Sequence, residues 1–204
     1  PNTRDLGVGD DVPFGSVDIL VPSDRDLFRD SAAAILGSYF RDVPASELGT
    51  VLEHPILHIA PGAFLLKGGE TTGTVYLIVS GTVEFLDNGG RGTHELGAGG
   101  LVGAQIAYTD SYASESCRAA SFVRALAIPA DTYRKFVERN ALAPVLTKVW
   151  NRCEFMRGTW LFGEGLSCLT RKQIAEAIQV RSFAAGKFIE TGPNHGLEFI
   201  VDGI

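Results

Sequence analysis

Between Ile56 and Ile128 this chain cannot run far as a helix. Pro61-Gly62, Gly68-Gly69, Gly81, Asn88-Gly89-Gly90 and Gly97 interrupt it every few residues. Glycine costs a helix interior about 1 kcal/mol relative to alanine, yet it suits corners that need positive φ. The stretches between these corners are short, apolar and β-branched, clearest in Val75-Tyr76-Leu77-Ile78-Val79-Ser80 and Val83-Glu84-Phe85. Strands of this kind, separated by tight turns, predict a mainly β unit with flanking helices. The strands should form an antiparallel, jelly-roll-like β barrel of eight strands. Asn88-Gly89 marks a hairpin whose loop should exceed two residues.

The flanks carry a helical period. Leu27, Phe28, Ala32, Ile35 and Leu36 recur at spacings of three and four, and Pro44 with Ser46 suits a second helix start. That helix should end before Pro55, because a residue preceding proline is pushed toward extended geometry. After Pro129, Tyr133, Phe136 and Val137 open a helical stretch that Leu142, Leu146, Val149, Cys153 and Met156 continue to about Trp160. Their apolar seam should pack between two parts of the chain or against another copy. Residues 1–26 are rich in Gly and Asp and receive no assignment.

The pattern then recurs. Gly62-Ala63-Phe64-Leu65-Leu66-Lys67-Gly68 is echoed by Gly186-Lys187-Phe188-Ile189-Glu190-Thr191-Gly192. Val75 to Gly81 is likewise echoed by Leu197 to Gly203. Such self-similarity points to a duplicated module. The expected layout is an N-terminal segment and lead helix over 1–39, a first module over 40–140, a connecting helix over 141–167, and a truncated second module over 168–204. A chain ending on a strand and its corner glycine is expected to be a piece of something longer.

With a net charge of -6, the chain lacks the clustered cations that nucleic acid or an anionic membrane surface requires. No apolar run approaches the length of a membrane span. Cys117, Cys153 and Cys168 have no C-x-x-C spacing, which suits a reducing, cytoplasmic setting. His54, His58, His94 and His195 have no metal-ligand spacing, and G-x-S-x-G is absent. Asp5, Asp10 and Asp11 fit solvated loop charge. Cys153, Trp150, Phe155 and Trp160 fit helix packing, with an aromatic cap for a purine as the alternative.

The densest motif is Leu96-Gly97-Ala98-Gly99-Gly100-Leu101-Val102-Gly103-Ala104-Gln105-Ile106-Ala107. Together with the strand, glycine corner and strand over Tyr76–Phe85, it resembles the cyclic-nucleotide-binding domain family. That family supplies the sensor modules of kinase regulatory subunits and catabolite-activator-type regulators. The resemblance makes the motif a phosphate-binding cassette, in which backbone donors at Gly103, Ala104, Gln105 and Ile106 face an anion. It also implies a glutamate for the ribose hydroxyl and an arginine for the cyclic phosphate. Here those positions hold Ala104 and Ala113, with Ser114 and Glu115 following.

Arg118, in Arg118-Ala119-Ala120-Ser121, is the candidate substitute phosphate ligand. Its odd separation from Ala113 would place the two on opposite faces of one strand. The cassette is therefore degenerate, and cyclic nucleotide should bind weakly or not at all. The expected function is a non-catalytic regulatory or sensor module in a larger signalling protein. Its partners would be a small anionic ligand, such as a cyclic nucleotide, and other protein domains or a second copy. No metal or other cofactor is implied. The alternatives are a structural or dimerisation scaffold, or the regulatory part of an enzyme or transcription regulator whose remainder lies elsewhere.

Overall fold

The structure, a computed structural model, describes residues 22–159, 161–162 and 166–188. Two helices lead: α1 (Pro22–Tyr39) and α2 (Ala45–Leu52). Six strands follow: β1 (Ile56–Ile59), β2 (Phe64–Leu66), β3 (Thr74–Ser80), β4 (Val83–Leu86), β5 (Gly92–Leu96) and β6 (Leu101–Val102). A short helix α3 (Ala104–Thr109) precedes β7 (Ser116–Ala119) and β8 (Val123–Pro129). Three helices close the described chain: α4 (Ala130–Arg139), α5 (Ala143–Arg157) and α6 (Cys168–Ala177). Residues 1–21, Trp160, the Gly163–Gly165 stretch and the predicted strands beyond Phe188 lie outside the described residues.

The eight strands form two antiparallel sheets, β1-β8-β3-β6 and β2-β7-β4-β5. The predicted barrel is thus two open four-stranded sheets. At two residues, β6 is too short to carry pairing across to the other sheet. The Asp87–Arg91 connection is longer than two residues, and Asp87 Oδ1 accepts hydrogen bonds from the backbone N–H of Gly89 and Arg91 at 2.9 Å each.

β3 and β8 bury side chains on both faces. Val75, Leu77, Leu126 and Ile128 join one core cluster with α1, α2 and α4, whereas Ile78, Val123 and Ala125 join a second between the sheets. The alternation is the period of two expected of strands.

The corner between β3 and β4 needs glycine. Gly81 has φ +88°, and a Cβ there would lie 2.2 Å from the Phe122 carbonyl oxygen.

The long helix predicted after Pro129 is broken. Asn140 Nδ2 donates to the Phe136 carbonyl, Ala141 takes φ +51°, and the Leu142 amide reaches back to Val137. Pro144, at the first turn of α5, was the readable start signal. The apolar seam is covered within the chain. Leu146 packs in the first cluster, while Val149 and Met156 meet Ile174, Ala175 and Ile178 of α6. The α6 helix also reaches α1, where Lys172 pairs with Glu176 and sits 4.9 Å from the Tyr39 ring centroid.

These features set three expectations for thermal melts. Gly81→Ala, strained and overpacked, should cost about 3 kcal/mol or more. Gly49→Ala, in a helix with open space around it, should instead stabilise by about 0.5–1 kcal/mol. Val149→Asp should lower the melting temperature by the equivalent of about 3 kcal/mol, because its carboxylate would have to enter the α5–α6 seam. An unchanged melt for Val149→Asp would place the seam in solvent.

Candidate functional site

The cassette hangs from β3. Tyr76 and Leu77 pair with Val102 and Leu101 of β6, and Ile78 exchanges backbone hydrogen bonds with Gly99 and Gly100, both at 2.9 Å. At Gly103 the chain turns with φ +79° into α3; a Cβ there would sit 3.2 Å from the Thr74 carbonyl and 3.3 Å from Thr72 Cγ2. The loop after β2 is laced to the segment before β7. The Gly69 amide donates to the Ala113 carbonyl at 2.8 Å, the Ala113 amide to the Glu70 carbonyl at 2.9 Å, and the Gly68 amide to Ser116 Oγ at 2.9 Å.

Ala104 and Ala113, which the resemblance assigns to one ligand, belong to different cores. Ala104 is buried in the first cluster beside the helices. Ala113 is buried in the second, among residues that include Leu66, Val102 and Cys117, with Ile106 and Tyr76 packed on it. Gln105 and Ser114 are exposed. Apolar side chains therefore occupy the space beneath the cassette. The cleft beside it, lined by Phe64, Lys67, Glu70, Thr72, Thr74 and Tyr76, holds about 170 Å³, against about 300 Å³ at the small end of typical ligand sites.

Two charged side chains of opposite sign, Lys67 and Glu70, line that cleft. Arg118 stands across from Glu84 in the β4–β7 register and donates to it at 2.7 Å. It faces away from Cys117 and Ala119, which are buried in the second cluster. Glu115 instead accepts a 2.6 Å hydrogen bond from the Thr93 hydroxyl. Arg134 of α4, which sequence reasoning did not single out, does reach the cassette helix. It binds the Ala107 carbonyl at 3.1 and 3.3 Å and lies 3.8 Å from Asp110. That is the carbonyl end of α3, where the helix dipole favours a cation. An anion would need its cation at the opposite end.

The thiols are not poised as nucleophiles. Burial, followed by Glu115 and Glu84, pushes the Cys117 thiol up to about 12, and burial also raises Cys153 and Cys168. Among the described residues, no group of three or more His, Cys, Asp or Glu could hold a metal ion. No helix among them is long and apolar enough to cross a membrane.

Two contacts that sequence reasoning missed join the cassette's lead-in to the closing helices. Leu169 of α6 seats over Gly99, where a Cβ would come within 2.8 Å of its Cγ. On α5, Arg157 donates to His94 Nε2 of β5 at 2.8 Å. These pairings span more than sixty residues, and no local pattern announces them.

No curated protein sequence matches the chain. Among solved structures, the regulatory subunit of a cAMP-independent protein kinase A from Trypanosoma cruzi, bound to guanosine, is 17% identical with a TM-score of 0.57. The match covers 88% of this chain and 62% of that one. A mutant of the corresponding subunit from Trypanosoma brucei, bound to cAMP in the A site, is 17% identical with a TM-score of 0.55, over 79% of this chain and 57% of that one. The sensor domain of the transcriptional regulator DNR from Pseudomonas aeruginosa is 14% identical with a TM-score of 0.51, over 65% of this chain and 96% of that one. The chain thus spans about three fifths of the two kinase subunits. At these identities the likeness is one of fold. The sequence itself carries the family's pattern in its β unit: residues 56–140 match the model of the cyclic nucleotide-binding domain.

Proposed function

We propose that this chain is a non-catalytic regulatory module of the cyclic-nucleotide-binding type, acting in a larger signalling protein, whose first cassette does not hold a cyclic phosphate tightly. The observation that carries this reading is the burial of Ala113 in an apolar cluster while the nearby Arg118 is engaged by Glu84 on the other face of its strand. A cyclic phosphate entering this site would lose water without meeting the arginine that the resemblance implies at 113; Lys67 and Glu70, which line the cleft, bring one charge of each sign. Losing a charge-assisted pair with an anion costs on the order of a few kcal/mol, or two or more decades of affinity.

A tandem arrangement also has support. The turn in which the Ala63 amide bonds the Ala60 carbonyl, with Gly62 at φ +85°, is repeated by Lys187, Ala184 and Gly186 at φ +80°. Each turn follows a helix, α2 or α6, at a similar remove. The second module would begin near α6, and its cassette would be the better place to look for an intact anion site.

Calorimetry on the 204-residue chain tests the reading. Cyclic AMP and cyclic GMP should show dissociation constants no tighter than about 100 μM; a micromolar value for either would overturn the loss of binding. Guanosine, which lacks the phosphate, is the fairer ligand for a site without that arginine. Binding tighter than that of the cyclic nucleotides supports a sensor, whereas silence from all three favours the scaffold reading. Arg118→Gln should leave any measured binding unaltered and change stability by less than about 1 kcal/mol, as for a half-exposed strand pair.

A further inference from the structure

The geometry points to a proton-operated latch between β5 and the end of α5, with His94 as its titrating group and Arg157 as the hydrogen-bond donor it holds. His94 projects from β5 onto the ring of Phe85 in β4, stacked at 4.3 Å between centroids with an interplanar angle of 8°. Both ring nitrogens are engaged. Arg157 Nη1 lies 2.8 Å from Nε2, and Thr93 Oγ1 lies 3.1 Å from Nδ1. The Thr93 hydroxyl gives its own proton to Glu115 Oε1 at 2.6 Å, so toward His94 it accepts. Arg157 has no acceptor to offer.

One protonation state satisfies every contact: neutral imidazole carrying its proton on Nδ1. Arg157 donates to Nε2, Nδ1–H donates to Thr93, and Thr93 donates to Glu115. A second proton on the ring would place an N–H opposite the N–H of a guanidinium at the same 2.8 Å, with like charges on both sides. Protonation and the Arg157 contact therefore exclude each other.

The charges around His94 work in both directions. From α5, Arg157 opposes its protonation and Glu154, paired with Arg157, favours it; from α6, Arg171 opposes it. Glu115, with a carboxylate oxygen 4.0 Å from Nδ1, favours it. Glu84 and Glu95 line the adjoining cleft of about 230 Å³ with Thr93 and His94, which gives the ring a route to water. Burial and then Arg157 outweigh the carboxylates and hold His94 below its ordinary range. A histidine lowered in this way keeps its contribution above about pH 6.5 and loses it as pH falls further. Acid would thus release Arg157 and the last turn of α5 from β5. The helix that leaves is the one carrying Trp150, whose ring lies 6.3 Å from that of Tyr108 on the cassette helix.

This adds a proton input to the regulatory reading and does not depend on nucleotide binding, so it can fail while the calorimetry stands, and the reverse. The test is hydrogen exchange on the full 204-residue chain at pH 7.5 and 5.5, corrected for the intrinsic pH dependence of exchange, with β8 as internal reference. Amides of residues 150–157 should exchange about threefold faster or more at the lower pH relative to β8, which is what losing one ordinary hydrogen bond is worth. In His94→Gln, the side-chain carbonyl still accepts from Arg157 but cannot titrate, and the response should vanish. Arg157→Gln provides a second variant should His94→Gln fail to fold; its amide can donate or accept, so protonation meets no conflict and the response should again vanish. The latch is overturned by a wild-type chain with no acid response in α5, by an equal rise in β8, or by a response that survives in a folded variant.

Discussion

The β3–β8 pair is the wall on which the rest of this molecule depends. Its two strands run antiparallel from Thr74↔Pro129 to Ser80↔Arg124, and both faces carry buried side chains. One face, with Val75, Leu77, Leu126 and Ile128, receives the leading helices and α4. The other, with Ile78, Val123 and Ala125, receives the second sheet. A one-residue slip would exchange these faces and move every side chain into the wrong core. Register here therefore fixes the sheet-on-sheet packing, the helix docking and the place from which the cassette hangs, since β6 pairs only with β3.

That origin explains why the cassette keeps its shape without the chemistry expected of it. Its form comes from backbone: the Gly99 and Gly100 bonds to Ile78, the positive φ at Gly103, and the lacing of Ala113 to Glu70. None of these needs a ligand or a charged side chain. An alanine at 113 can fill apolar space that a guanidinium could occupy only with a partner, because an unpaired buried charge is far costlier than a buried methyl. The backbone frame thus does not depend on the charged groups that the resemblance implies at 104 and 113.

The frame was legible in sequence because glycine and β-branched residues report local geometry. Strand alternation assumed one strand through 113 and 118, whereas β7 begins only at Ser116 and Ala113 lies in the segment before it; the register settles only that Arg118 stands across from Glu84. The open edges of the sheets were not legible, since closure depends on how long β6 remains paired. The break after α4 was signalled by Pro144 but masked by apolar residues that kept their spacing across it. The split of Ala104 and Ala113 between two cores was invisible, because an alanine carries no mark of the face it will occupy. His94, Arg134 and Arg157 gave no signal at all; each acts through partners that only the folded chain brings near.

The contacts that sequence did not show are the ones that tie the closing helices to the β unit. Leu169 on Gly99 attaches α6 to the β5–β6 connection, and Arg157 on His94 attaches α5 to β5. Arg134 fastens α3 to α4. Any input that loosens one of these attachments shifts how the closing helices sit against the cassette, and its reach is bounded by its differential affinity for the two arrangements. A proton on His94 has differential affinity, because the Arg157 contact admits only the neutral ring. On the proposed latch, the imidazole gives a signal a point of entry into the β unit that does not pass through the cassette.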